Sequence, residues 1–130
     1  MNRFKFRCWD IFTEKFLDNF FISNDGKIRY GSVSDELQLE KKGYIIMQWI
    51  GLEDRYGKNV YENDIIKYPD YYDGDIFKKS GLAVVKYDEV SFYAIDNNLG
   101  MHSLWDIIIN NGEIIGNIFE NPELMEKKNV

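Results

Sequence analysis

The sequence predicts a mainly β protein: a single domain of small coiled sheets that includes an SH3-like barrel element, with one or two short helices. Three observations predict it. The 130 residues hold three Trp, nine Tyr and nine Phe but only two Ala, a balance that suits pleated, half-buried surfaces better than helices. Apolar runs recur roughly every 8 to 12 residues with Gly, Asn, Asp or Pro between them. Almost no segment spaces its apolar residues as an amphipathic helix requires.

From the N-terminus, Arg3 to Asp10 alternates Phe4, Phe6 and Cys8 with Lys5, Arg7 and Trp9, the pattern of a half-buried strand. Phe16 to Ser23 is a second apolar run. Asn24-Asp25-Gly26-Lys27 closes it, and the Asp-Gly pair suits a hairpin turn that returns through Lys27 to Tyr30. The polar stretch Ser32 to Lys42 leaves two options open, a short capped helix over Ser34 to Glu40 or an irregular excursion. Tyr44 to Ile50 is a strand of strong β formers, Asp54 to Gly57 a turn, Val60-Tyr61 a restart, and Asp64 to Tyr68 a further strand. Pro69 to Asp75 reads as an exposed loop, since Pro cannot donate to a ladder and Asp with Gly favours a turn. Leu82 to Tyr87 and Ser91 to Ile95 are strands, and Asn97 to Gly100 turns the chain again. Trp105 to Ile109 and Glu113 to Phe119 flank Asn110-Asn111-Gly112, whose Asn-Gly pair predicts a hairpin. Asn121-Pro122-Glu123 carries an N-cap residue, Pro at the first helical position and an acid in the first turn, which predicts a short terminal helix.

Length fits one domain with its own core, spanning residues 1–130. A formal net charge of -6 opposes binding to phosphate backbones, so a nucleic-acid partner is disfavoured. No apolar stretch reaches the length of a membrane span, and Met1 to Asp10 lacks the apolar region of a signal peptide. A single cysteine, Cys8, excludes an intrachain disulfide and fits a reducing compartment, so the expected location is cytoplasmic.

Chemistry-bearing residues are sparse. His102 is the only histidine, which rules out a two-His metal site within one chain, and it reads as a turn or edge residue. Cys8 shares a face with Phe4 and Phe6 and reads as a small core residue rather than a nucleophile. Asp70, Asp73 and Asp75 converge on one stretch without the spacing of an EF-hand, so a solvated acidic loop is favoured over a cation site, and no cofactor is expected. Glu62 and Asp64 bracket Asn63 and fall on one face if a strand continues through them; they suit either acid-base work or the locking of a turn by accepted N–H bonds, with the turn favoured. Trp49 and the aromatics Tyr61, Tyr68, Tyr71, Tyr72, Tyr87, Phe92 and Tyr93 raise a stacking surface for single strands, yet strand aromatics are more often core and cross-strand pairs. Trp49, Glu62 and Asp64 are therefore the weak candidates for binding, and no residue is a catalytic candidate.

Three islands carry a family likeness: Lys5-Phe6-Arg7-Cys8-Trp9-Asp10, Gly51 through Ile66 with Asp54-Arg55-Tyr56-Gly57 and Tyr61-Glu62-Asn63-Asp64 inside it, and Ile115-Gly116-Asn117-Ile118-Phe119-Glu120-Asn121-Pro122-Glu123-Leu124. On these residues the chain resembles the YopX family of phage and prophage proteins. Ile50 stands where the family usually has Thr, and Asn63 where it usually has Gly. The second departure implies a positive φ at Asn63, because Asn tolerates that region best after Gly. The family carries no assigned reaction, so the resemblance transfers no catalytic residue. It implies a phage-encoded accessory protein that is not an enzyme and works by protein contacts, as a homo-oligomer or with a host or phage protein. The alternative is a nucleic-acid-associated module in which Trp49 through Tyr68 forms the turn-and-strand unit of an SH3-like barrel.

Overall fold

The computed structural model describes residues 4–24, 28–30, 37–38, 43–88 and 90–126. Its strands are β1 (Phe6–Asp10), β2 (Lys15–Phe16), β3 (Phe20–Ile22), β4 (Ile28–Tyr30), β5 (Leu37–Gln38), β6 (Tyr44–Glu53), β7 (Asn59–Tyr61), β8 (Asp64–Tyr68), β9 (Tyr71–Asp73), β10 (Ile76–Lys78), β11 (Gly81–Tyr87), β12 (Phe92–Asp96), β13 (Met101–His102) and β14 (Glu113–Asn117). One α-helix, α1 (Leu104–Ile109), and one 3-10 turn (Pro122–Met125) complete the set among the described residues. The predicted class holds: the protein is mainly β, with a curled antiparallel sheet forming a half-barrel. Its contacts divide into two compact units, Phe6–Met47 on the one hand and Met1–Lys5 with Gln48–Val130 on the other.

In the unit Phe6–Met47, β1 and β2 run antiparallel with Trp9 opposite Phe16, their rings edge-on at 4.9 Å. Cys8 is fully buried, as its place on the apolar face predicts, but Trp9 on the other face is buried too. Both faces of this strand end are covered, which alternation alone does not reveal. The turn after β1 is held by Asp10, whose Oδ1 accepts from the N–H groups of Phe12 at 2.9 Å and Thr13 at 3.4 Å. The predicted hairpin is present, with β3 and β4 paired through Phe21 opposite Arg29; its turn residues, 25–27, lie outside the described residues. Within the stretch 32–42, Leu37–Gln38 is a strand paired with β4, and the remainder lies outside the described residues.

The larger unit contains a five-stranded antiparallel sheet in the order β13-β12-β11-β8-β14. Phe4, expected on a buried face, is instead 70% exposed and precedes the first strand. The core gathers Val60, Ile66, Tyr68, Tyr71, Ala83, Val85, Ala94, Leu104 and Ile107. At the central strands the two alanines, Ala83 and Ala94, give the space the bulky neighbours need.

Three elements of this unit differ from expectation. Pro69 to Asp75 is not a free loop: Tyr71–Asp73 and Ile76–Lys78 pair as a hairpin whose tip is Gly74-Asp75, and Tyr71 is only 4% exposed. The β8–β11 ladder reaches Tyr68 opposite Gly81 and the β9–β10 ladder resumes in the same register with Tyr71 opposite Lys78, so one long hairpin runs from β8 to β11. Its bend at Pro69-Asp70 and Lys79-Ser80 is fixed by the Ser80 N–H, which donates to Asp70 Oδ1 at 2.7 Å. The second correction concerns Trp105 to Ile109, which is helix rather than strand. Asn110-Asn111-Gly112 closes that helix instead of joining two strands: the Gly112 N–H donates to Ile107 O and the Asn111 N–H to Ile108 O, with Asn111 at φ 70. This is the Schellman arrangement, which demands a left-handed residue just as a tight hairpin does. Burial of Leu104 and Ile107, three residues apart on one helical face, decides between the two. The predicted terminal helix is a single 3-10 turn, opened by Pro122.

Candidate functional site

Buried polar groups need partners, and those not consumed by the fold are where function resides. Among the described residues the buried polar side chains are Asp10, Asp54, Asp64, Asn117 and His102. Four of these five lie in the motif islands and lock turns.

Asp54 is the densest of the locks. Its Oδ1 accepts from the N–H groups of Tyr56 and Lys58, both at 2.9 Å, and its Oδ2 accepts from the Ile114 N–H at 3.0 Å. The last bond also occupies an outward-facing donor of the edge strand β14. Burial pushes the Asp54 carboxyl up, but the three N–H donors and the nearby Lys58 ammonium outweigh it and hold its pKa below the ordinary 3.8. Asp64 Oδ2 accepts from the Tyr61 N–H at 2.8 Å, and Asn63 between them sits at φ 69, the positive angle expected of it. Asn63 also accepts from the Lys86 ammonium at 3.1 Å. Asn117 Oδ1 accepts from Phe119 and Glu120, while its Nδ2 donates to Glu120 Oε1.

The weak binding candidates fall among these locks. Glu62 Oε1 accepts from the Gln48 N–H at 3.1 Å, and the Glu62 N–H donates back to Gln48 O. Trp49 lies opposite Tyr61, its Nε1 donates to Leu52 O at 2.9 Å, and the Lys5 ammonium sits 4.7 Å from its ring centre. The structure therefore brings Trp49 and Glu62 to one corner, where β6 meets β7, and gives both carboxylates backbone donors to hold. Asp70, Asp73 and Asp75 do not gather: Asp70 holds the bend, Asp73 is in β9 and Asp75 is at the tip. Among the described residues no group of three or more His, Cys, Asp or Glu is placed to hold a metal ion.

The fifth buried polar residue, His102, lies outside the motif islands. It stands on the edge strand β13, as an edge residue was expected to, yet its ring is buried and fully engaged. Nε2 lies 2.8 Å from Asp96 Oδ2 and 3.2 Å from the Tyr68 hydroxyl, and Nδ1 lies 2.6 Å from the Tyr71 hydroxyl. With an ionised Asp96, Nε2 carries a proton and donates to the carboxylate, while Nδ1 and the Tyr71 hydroxyl share the second short bond. Burial raises the Asp96 carboxyl, but donation from His102 and from the N–H groups of Gly100 and Asn98 prevails and lowers it below 3.8. Burial, with Asp96 and Tyr71 nearby, pushes Tyr68 up to about 12. Burial and the acids Asp106, Asp73 and Asp96 push Tyr71 up to about 12 as well.

Chemically this is a cross-link rather than a reactive dyad. Both ring nitrogens are occupied, and the tyrosines keep their protons throughout the physiological range. The cluster ties β13 and the end of β12 to the root of the long hairpin, through Tyr68 on β8 and Tyr71 on β9. A cavity of about 200 Å³ opens beside it, lined in part by Asp96, His102, Phe77 and Lys79. A second, of about 400 Å³, adjoins Tyr68 and Ser80 and is lined by Arg55, Lys67 and Glu113 among others.

Beyond its anchored root, the β9–β10 arm turns apolar groups outward. Tyr72 and Phe77 face each other across the hairpin with ring centres 5.4 Å apart, and they are 68% and 51% exposed. Ile76 is 60% exposed on the other face. Sequence reasoning missed this arm because Pro69 and three acids made it read as a loop. The signal that finds it is Asp73-Gly74 with extended, β-prone residues on both sides.

Among the described residues no helix is long and apolar enough to cross a membrane. The YopX protein family model matches residues 5–126. A crystal structure of protein EF1440 from Enterococcus faecalis is similar, with 26% identity, a TM-score of 0.64, and coverage of 95% of this chain and 98% of that one. The crystal structure of protein yopX from Bacillus subtilis is similar in fold, with 21% identity, a TM-score of 0.64, and coverage of 99% of this chain and 100% of that one. Comparison with curated proteins found no match.

Proposed function

The chain belongs to the YopX family, and from that premise we propose that it is a phage- or prophage-encoded accessory protein of the host cytoplasm that performs no reaction and acts through protein contacts, the first of them with copies of itself. One observation carries the reading: the β9–β10 arm presents Tyr72, Phe77 and Ile76 to solvent while its root is cross-linked by buried His102. Large aromatics left exposed on a rigid support are the residue types enriched at interface centres. The other polar chemistry supports it as well, since the motif acids Asp10, Asp54, Glu62 and Asp64 accept backbone N–H groups and are spent on the fold.

Light scattering coupled to gel filtration, run from low to high micromolar protein, tests this. The expected result is a mass above the 15.4 kDa of one chain that rises with concentration. A single species of 15.4 kDa over the whole range contradicts self-association.

A further inference from the structure

The arm carries a more specific inference, which rests on the self-association reading: we infer that the outer edge of β10 pairs with the same edge of a second copy, antiparallel and two-fold symmetric about Phe77. Among the described residues β10 pairs only with β9, so its other edge has no strand beside it. The turn fixes what that edge offers. A two-residue loop, Gly74-Asp75, with Gly74 at φ 59 in first place meets the requirement of a type II′ hairpin, in which the closing pair, Asp73 and Ile76, exchanges both hydrogen bonds. The next pair, Tyr72 and Phe77, then turns its N–H and C=O groups outward. Phe77 thus supplies a donor and an acceptor at the centre of an open edge, the pattern that templates strand addition.

Charge selects the partner. In an antiparallel pairing centred on Phe77, Asp75 of one copy lies opposite Lys79 of the other, twice over by symmetry. Asp75 at the tip and Lys79 at the bend each lie one residue beyond β10, so the two ion pairs flank its ladder, at whose centre both copies' Phe77 meet beside Tyr72. The opposite face sets Ile76 against the aliphatic stem of Lys78. The outer edge of β9 cannot do the same, because Asp70, Asp73 and the neighbouring Asp75 would bring acids together.

Sedimentation velocity on the full chain tests the inference with Asp75→Lys, Lys79→Asp and the double swap, all at exposed positions, so that thermal melts should coincide with the wild type. Each single reversal converts both ion pairs into like-charge pairs and is expected to weaken self-association by about tenfold or more, while the double swap restores it to within about threefold. Association that ignores all three variants, or single reversals that the swap does not rescue, overturns the β10 pairing and leaves self-association by another surface. A wild type that stays monomeric overturns both. Self-association that shows the reversal and the rescue supports the pairing.

Discussion

Asn63, at φ 69, carries the only non-glycine positive angle in the motif that replaces a usual Gly. Asn63→Gly should be neutral or stabilising, relief of the strain at positive φ offsetting the lost Lys86 contact, whereas Asn63→Val should cost on the order of 1 to 3 kcal/mol. Thermal melts of the two variants check this, and equal melting temperatures would contradict it. Asp54→Ala orphans the N–H groups of Tyr56, Lys58 and Ile114 and should cost on the order of 2 to 4 kcal/mol in a denaturant titration. The same residue predicts a pH dependence. Because folding lowers its pKa below 3.8, its contribution is present above the unfolded value and is lost as pH falls through the lower folded value. Stability measured from pH 6 downward should therefore fall below about pH 4, and Asp54→Asn should flatten that slope. Cys8, buried and pushed up to about 11 by burial with Asp10 beside it, should resist thiol reagents until the protein unfolds. At this scale the sequence was informative where a residue acts on its own neighbours: Asn63 and Cys8 were legible. His102 was not, because Asp96, Tyr68 and Tyr71 approach it from positions 6, 34 and 31 residues away, and only the fold brings them together.

At the scale of elements, the end of α1 makes the sharpest claim. A Cβ at Gly112 would lie 2.7 Å from the Ile107 carbonyl oxygen and 2.9 Å from Ile66, both fixed by the core. Gly112→Ala should therefore lower stability by about 1 to 3 kcal/mol, while Asn111→Gly should be tolerated because Asn111 already occupies the left-handed region. Equal melts for the two would contradict the helix-stop reading and favour a plain hairpin loop. The helix itself was illegible from periodicity, since six residues make too few turns to show one. Its available signal was Ser103-Leu104-Trp105-Asp106, a polar cap position with an acid three residues on. The strands were easier, because β6, β8, β11 and β12 each carry a run of β formers between turn residues. The arm was lost for the opposite reason, as its turn chemistry outweighed a strand of only three residues on each side.

For the whole molecule, net charge and exposed apolar surface carry the predictions about partners. With a net charge of -6, binding to duplex DNA should be weak or absent at physiological salt, and fluorescence anisotropy at two salt concentrations checks it. Submicromolar binding that weakens steeply with salt would move the nucleic-acid module into first place. The motif islands explain why the family likeness was so legible while the function was not: Asp10, Asp54, Asp64 and Asn117 specify turns, so the sequence features that identify the lineage describe its scaffold. The exposed side chains that the account gives to function, Tyr72 and Phe77, lie outside those islands. Hydrogen exchange of the Phe77 amide, followed at low and high protein concentration, tests the central claim most directly. The account predicts rapid exchange in dilute protein and protection at high concentration, confined to β10 and its flanks, as the outward N–H finds a partner. Exchange that is equally fast at both concentrations, in protein shown to be associated, would contradict it.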